Sequence, residues 1–165
     1  MSGRPHSARL LFDLAEIREE LNKEVEGIAD DELDWTPAPG MKSYRSLLAE
    51  IGCVEAENLS LIKTGVADYK PTEAILRDPS LGTARLLKEL GELREETISY
   101  LEQVTEEALQ VPLNLPEDWY QFFGGETMVE PEELIRWVTR HEYYHLGQII
   151  TMRWSQGHNP YKPAQ

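Results

Sequence analysis

Residues 131–156 read PEELIRWVTRHEYYHLGQIITMRWSQ, and their spacing decides the fold. Leu134, Val138, His141, His145, Gln148 and Met152 recur at steps of three or four, which lines them up along one face of a helix. Pro131 suits the first turn, Glu132 and Glu133 complement the positive end, and Gly157 followed by Pro160 supplies the stop. The spacing therefore predicts a helix from about Pro131 to Gln156 that carries two histidines within its apolar stripe.

Three further segments share this period. Leu10, Leu14, Ile17, Leu21, Val25 and Ile28 predict a first helix from about His6 to Ile28. Asp30, Asp31, Pro37, Pro39 and Gly40 then force the chain to turn, with one small turn around Glu32. Ser43 can cap a second helix bearing Tyr44, Leu47, Leu48, Ile51, Val54, Asn58, Leu59 and Ile62, and Gly65 suits the position just past its end. Pro71 and Pro79 mark a connection, and Ser80 opens a third helix with Leu87, Leu90, Ile98, Leu101 and Val104. From Leu109 to Val129 the period is lost among Pro112, Pro116, Trp119, Tyr120, Phe122, Phe123, Gly124 and Gly125: an aromatic-rich loop with room for a short hairpin. The expectation is an all-α four-helix bundle with residues 1–165 as one domain.

Charge removes several functions. Thirty acidic against sixteen basic residues leave a formal charge of −14, which repels nucleic-acid phosphates and anionic bilayers. The charge is uneven: no acidic residue follows Glu142, so a pocket that takes an anion is expected at the end carrying Arg136, Arg140, Arg153 and Lys162. Cys53 is the single cysteine, which excludes an internal disulfide and favours a reducing compartment. The first twenty residues are interrupted by charge, without the apolar core of a signal peptide, and no stretch approaches the roughly 18 apolar residues of a membrane span. A cytoplasmic location is expected.

Burying two imidazoles is costly unless their nitrogens find partners. A pair at i and i+4 can direct both toward one cation at about 2.0 to 2.1 Å, and the alternative is a pair of pocket histidines hydrogen-bonded to neighbours. His141-Glu142-Tyr143-Tyr144-His145 also matches the zinc-protease pattern, in which the glutamate is the general base. No Asp or Glu follows to complete such a site, and the extended motif would need glycine at Gln148 and histidine at Thr151, so the protease is the weakest reading.

Two stretches carry a resemblance. Gly27-Ile28-Ala29-Asp30-Asp31-Glu32-Leu33-Asp34-Trp35, followed by Pro37, Pro39-Gly40 and Ser43, resembles the link between the first two helices of the DinB-like superfamily. The segment from His141 through His145 to Gln148 is similar to that superfamily's histidine-bearing stretch on the last helix. The superfamily comprises four-helix metal-binding proteins, among them bacillithiol S-transferase-like enzymes. The resemblance implies a divalent ion (zinc or nickel first, iron or manganese otherwise), a low-molecular-weight thiol among small-molecule substrates, a homodimer and a link to stress responses. It also implies a third ligand in the middle of the second helix. Aligning Leu47-Leu48-Ala49-Glu50-Ile51-Gly52-Cys53-Val54-Glu55 places Glu50 where the family has histidine, giving Glu50, His141 and His145 as the metal ligands.

Glu50 is also notable from spacing, three residues after Leu47 and four before Val54, at or beside the buried stripe. Cys53 and Glu57 are its rivals as third ligand. A two-histidine, one-carboxylate set leaves positions open for water or a substrate atom, and a metal there would hold a thiol as its nucleophilic thiolate. Arg136, Arg140 and Arg153 could hold a substrate carboxylate; Trp137, Tyr143, Tyr144 and Trp154 could wall a pocket; Gln148 could orient a histidine. The functions in view are a thiol-using small-molecule enzyme, a non-catalytic metal-binding dimer and, last, the protease.

Overall fold

The computed structural model describes residues 5–159. Lys162 of the basic C-terminal end lies outside the described residues. Four long helices carry the architecture: α1 (His6–Val25), α2 (Tyr44–Thr64), α4 (Thr83–Gln103) and α5 (Pro131–Ser155). A short α3 (Lys70–Leu76) lies in the connection marked by the prolines, with Pro71 in its first turn, where a missing N–H does no harm. No helix among the described residues is long and apolar enough to cross a membrane.

The apolar faces do what their spacing requires. Ile17, Leu21 and Val25 of α1, Leu47, Leu48 and Ile51 of α2, Leu86 and Leu90 of α4, and Leu146, Ile149 and Met152 of α5 form one buried cluster. A second, toward the other end, joins Leu10, Leu14, Leu101, Ile135 and Val138. Gly52 lets the elements close up: a Cβ there would lie 2.3 Å from a Leu76 methyl and 2.9 Å from one of Leu90. Ser43 caps α2, its hydroxyl accepting from the Ser46 amide at 3.2 Å, and Gly65 closes it in the left-handed conformation at φ 76°.

Some boundaries differ from the expectation. The first helix ends at Val25, and Ile28 enters the core from the turn beyond it. Ser80 does not open the third long helix; its amide and hydroxyl turn to Asp78. That helix starts at Thr83, whose amide donates to Asp30 Oδ1 at 2.7 Å, a cap supplied from across the bundle. The aromatic loop is more ordered than its lost period suggests. A two-residue antiparallel pair, Leu113–Asn114 with Met128–Val129, closes it around a 3-10 turn at Glu117–Phe123. Trp119 and Leu115 of this loop pack with Leu61 and Leu134 to cover the end of the bundle.

Candidate metal centre

On α5, His141 and His145 lie one turn apart, and their Nε2 atoms approach to 3.1 Å. Gln148, the next residue along the same face, fixes the second ring: Nδ1 of His145 donates to Gln148 Oε1 at 2.7 Å. His145 Nε2 therefore presents a lone pair, toward which His141 Nε2 donates. Glu50 of α2 brings Oε2 to 3.3 Å from the same nitrogen. Burial, with neighbouring His145 adding to it, pushes His141 down to about 4, and burial likewise lowers His145 against the pull of Gln148 and Glu50. Both rings are thus neutral at pH 7, the form that binds metals.

The three sequence-predicted ligands accordingly meet, two from α5 and one from α2. As a hydrogen-bonded cluster the arrangement is incomplete at one atom, Nδ1 of His141. His145 Nε2 and Glu50 Oε2, each holding a donor of its own in His141 Nε2 and Lys42 Nζ, face each other at 3.3 Å with no hydrogen bond between them. Nδ1 of His141 is buried without a hydrogen-bond partner, which a satisfied core histidine would not tolerate cheaply. A cation between these side chains could draw on the lone pairs of both Glu50 Oε2 and His145 Nε2, which already lie 3.3 Å apart. Among the described residues no group of three or more His, Cys, Asp or Glu side chains is already placed so as to hold a metal ion, so these three would have to draw closer around one. Glu50 Oε2 instead accepts from Lys42 Nζ at 2.5 Å.

The rivals of Glu50 look elsewhere. Cys53 lies in the field of Glu73 and Arg77, and burial pushes its thiol up to about 11, far from a ready thiolate. Glu57 is raised to about 7 by burial and by Asp118 of the aromatic loop. The three arginines suggested as anion holders are engaged with carboxylates of their own: Arg136 with Glu132, Arg140 with Glu133 and Arg153 with Glu24. Tyr144 meets the His145 ring edge-on at 5.1 Å, whereas Trp137 packs on Phe122 and Phe123 of the aromatic loop.

Beside the cluster opens a cleft of about 580 Å³. Leu47, Met41, Tyr144 and Met152 give it a largely apolar wall, Gln148 touches it, and among the described residues Lys42 is its only charged lining residue. The volume suits a small molecule, not a folded partner.

Glu142, between the histidines in sequence, faces a different compartment. It is 1% exposed, and its carboxylate accepts from Arg18 Nε at 2.6 Å and Arg94 Nη2 at 2.5 Å. Glu55, fully buried, accepts from the same two arginines and from Thr97 Oγ1 at 2.8 Å. The remaining guanidinium nitrogens donate to Leu90 O and Leu14 O, both at 2.6 Å. Each long helix contributes one member of this quartet, and its charges cancel. Sequence reasoning missed it, although the signal was present: Arg18 and Arg94 each occupy an apolar-stripe position, four residues after Leu14 and Leu90. A general base needs a free carboxylate beside the metal, and Glu142 has none to offer, so the protease role falls away.

Known proteins agree with this architecture. A family profile for the DinB superfamily matches residues 13–149. Among solved structures, the DinB-like protein YjoA of Bacillus subtilis superposes with a TM-score of 0.69 at 21% identity, covering 95% of this chain and 97% of that one. YfiT, also from Bacillus subtilis and described as a probable metal-dependent hydrolase with an unusual four-helix bundle topology, gives 0.72 at 16% identity over 92% and 87%. A DinB-like protein from Bacillus cereus gives 0.62 at 16% identity over 90% and 91%. No curated protein matches the chain. With most of its length matched by the family profile and its bundle shared with these structures, the chain belongs to the DinB superfamily.

Proposed function

We propose that the protein is a divalent-metal-dependent enzyme acting on a small molecule, with Glu50, His141 and His145 as ligands and the adjoining cleft as the substrate site. The observation that carries this reading is the convergence of acceptor atoms: Glu50 Oε2 stands 3.3 Å from a histidine nitrogen whose other ring position is held by Gln148. Zinc or nickel suits two imidazoles and a carboxylate best, and iron or manganese is compatible with them. When bound, such an ion supplies Lewis acidity and stabilises the anionic form of a coordinated nucleophile.

The chain's own residues do the rest. Gln148 keeps the proton of His145 on Nδ1 and so keeps Nε2 available. His141 frees its own Nε2 by moving its proton to Nδ1, the atom that now lacks a partner. Tyr144 and Met152 line the cleft and limit water around the reacting group. A low-molecular-weight thiol as nucleophile follows from the superfamily resemblance: the thiol would lose its proton to solvent, and its sulfur would bond to an electrophilic small molecule as that molecule's leaving group departs with the electron pair of the broken bond. Hydrolysis is the second reading, favoured by the description of YfiT, and differs only in using water as nucleophile. The homodimer and the link to stress responses belong to the same proposal through the resemblance, and the cytoplasmic location through the lone cysteine, Cys53.

The test is the metal content of His145→Ala. Native-purified protein should carry one divalent ion per chain by elemental analysis, and the variant should carry essentially none while retaining its helical circular dichroism. Equal metal in both proteins would reject the site.

A further inference from the structure

Lys42 stands in the linker just ahead of α2, eight residues before Glu50, with its side chain about half exposed. Its ammonium contacts Glu50 Oε2, the same oxygen that faces His145 Nε2. The Glu50 and Lys42 side chains together are neutral, as is the imidazole that the superfamily resemblance would place at position 50. A tethered cation thus already neutralises the anionic donor of the cluster. Lys42 is at the same time the only charged residue lining the apolar cleft among the described residues. An ammonium on a flexible four-carbon stem can serve both places, since its three donors rotate freely and the carboxylate that holds it here is that of Glu50.

We propose that Lys42 is an internal cation with two positions: it opposes the divalent ion at Glu50 and, once displaced, binds the anionic group of an apolar ligand in the cleft. The inference rests on the metal reading above. It assigns the substrate class as a molecule with an apolar body and a carboxylate, phosphate or similarly anionic head. It also couples the two ligands, because an anion that draws Lys42 into the cleft removes the competitor from Glu50 and strengthens metal binding, and the converse holds by linkage. In a chain of formal charge −14, one lysine at the mouth of the site supplies the local attraction that the overall field denies an anion.

Two titrations with the full chain test it. Chelator-stripped wild-type protein and Lys42→Met are titrated with zinc by calorimetry; the variant should bind at least tenfold more tightly, and equal or weaker binding overturns the proposal. The zinc-loaded proteins are then titrated with octanoate and its neutral analogue octanamide. Lys42→Met should lose about tenfold in octanoate affinity with octanamide unchanged, and an equal octanoate affinity in both proteins overturns it. If wild-type protein takes up no zinc at all, the metal reading fails and this inference with it. If wild type binds zinc, His145→Ala does not, and Lys42→Met matches wild type, the metal reading stands and the role of Lys42 alone is rejected.

Discussion

Two polar centres share α2 and α5, and they are built on opposite principles. The quartet of Arg18, Glu55, Arg94 and Glu142 is buried, neutral and saturated, with every guanidinium nitrogen and every carboxylate oxygen engaged. The cluster of Glu50, His141, His145 and Lys42 borders a cleft, leaves a buried nitrogen orphaned and sets Glu50 Oε2 facing His145 Nε2 with no hydrogen bond between them. Adjacent residues His141 and Glu142 serve different centres because one helical step rotates the side chain by about 100°. Glu50 and Glu55, five residues apart, diverge on α2 for the same reason. A polar group that is fully paired holds helices together, whereas one left short of partners is available to a ligand.

Breaking the saturated centre should therefore cost the most. Arg94→Met leaves two buried carboxylates facing one guanidinium, and stability by urea unfolding should fall by about 3 to 5 kcal/mol. A loss under 1 kcal/mol would show that the quartet is not the clamp its geometry indicates. Glu142→Gln removes one charge but keeps an acceptor in place, so a smaller loss of about 2 kcal/mol is expected, with metal content unchanged. Loss of the metal with stability intact would reverse the assignment of Glu142 and revive its place beside the ion.

Acid should separate the centres more gently. Burial alone would raise the Glu55 carboxyl, but Arg94 and Arg18 overcome it and hold the group below its ordinary value of 4.5. At the end of the bundle, Glu132 is likewise carried against burial, down to about 2, by His6, Arg136 and Gln110. For a carboxyl depressed in the folded state, the stabilisation is present above the unfolded pKa and is lost as pH falls through the folded one. These two groups should thus leave the urea midpoint unaffected between pH 7 and about 5 and lower it progressively below about 4.5. In Glu55→Gln the acid limb should be shallower; an unchanged limb would remove Glu55 as its source.

How far the molecule could be read in advance follows the range of the interactions. The long helices were legible because their core contacts are periodic in sequence, and Ser43 and Gly65 mark the ends of α2 by local chemistry alone. The start of α4 was misplaced because its cap, Asp30, is 53 residues away from Thr83. The seven residues of α3 are too few to show a period. At the site, His141, His145 and Gln148 stood out because they share one helical face, and Glu50 entered through the resemblance together with its place near the stripe. The partners of Glu142 could not be assigned, since Arg18 lies 124 residues from it and nothing local ties them. Lys42 likewise gave no sign: it stands in the linker eight residues before Glu50, outside the helical period that marks α2.

The central claim is that a carboxylate from α2 and two imidazoles from α5 share one ion. Anomalous diffraction from crystals soaked in zinc tests it most directly. The account predicts one strong peak at about 2.0 to 2.2 Å from a Glu50 carboxylate oxygen and from a ring nitrogen of both His141 and His145, with Lys42 withdrawn from Glu50. A map without a peak there, or with zinc held by other residues, would contradict it.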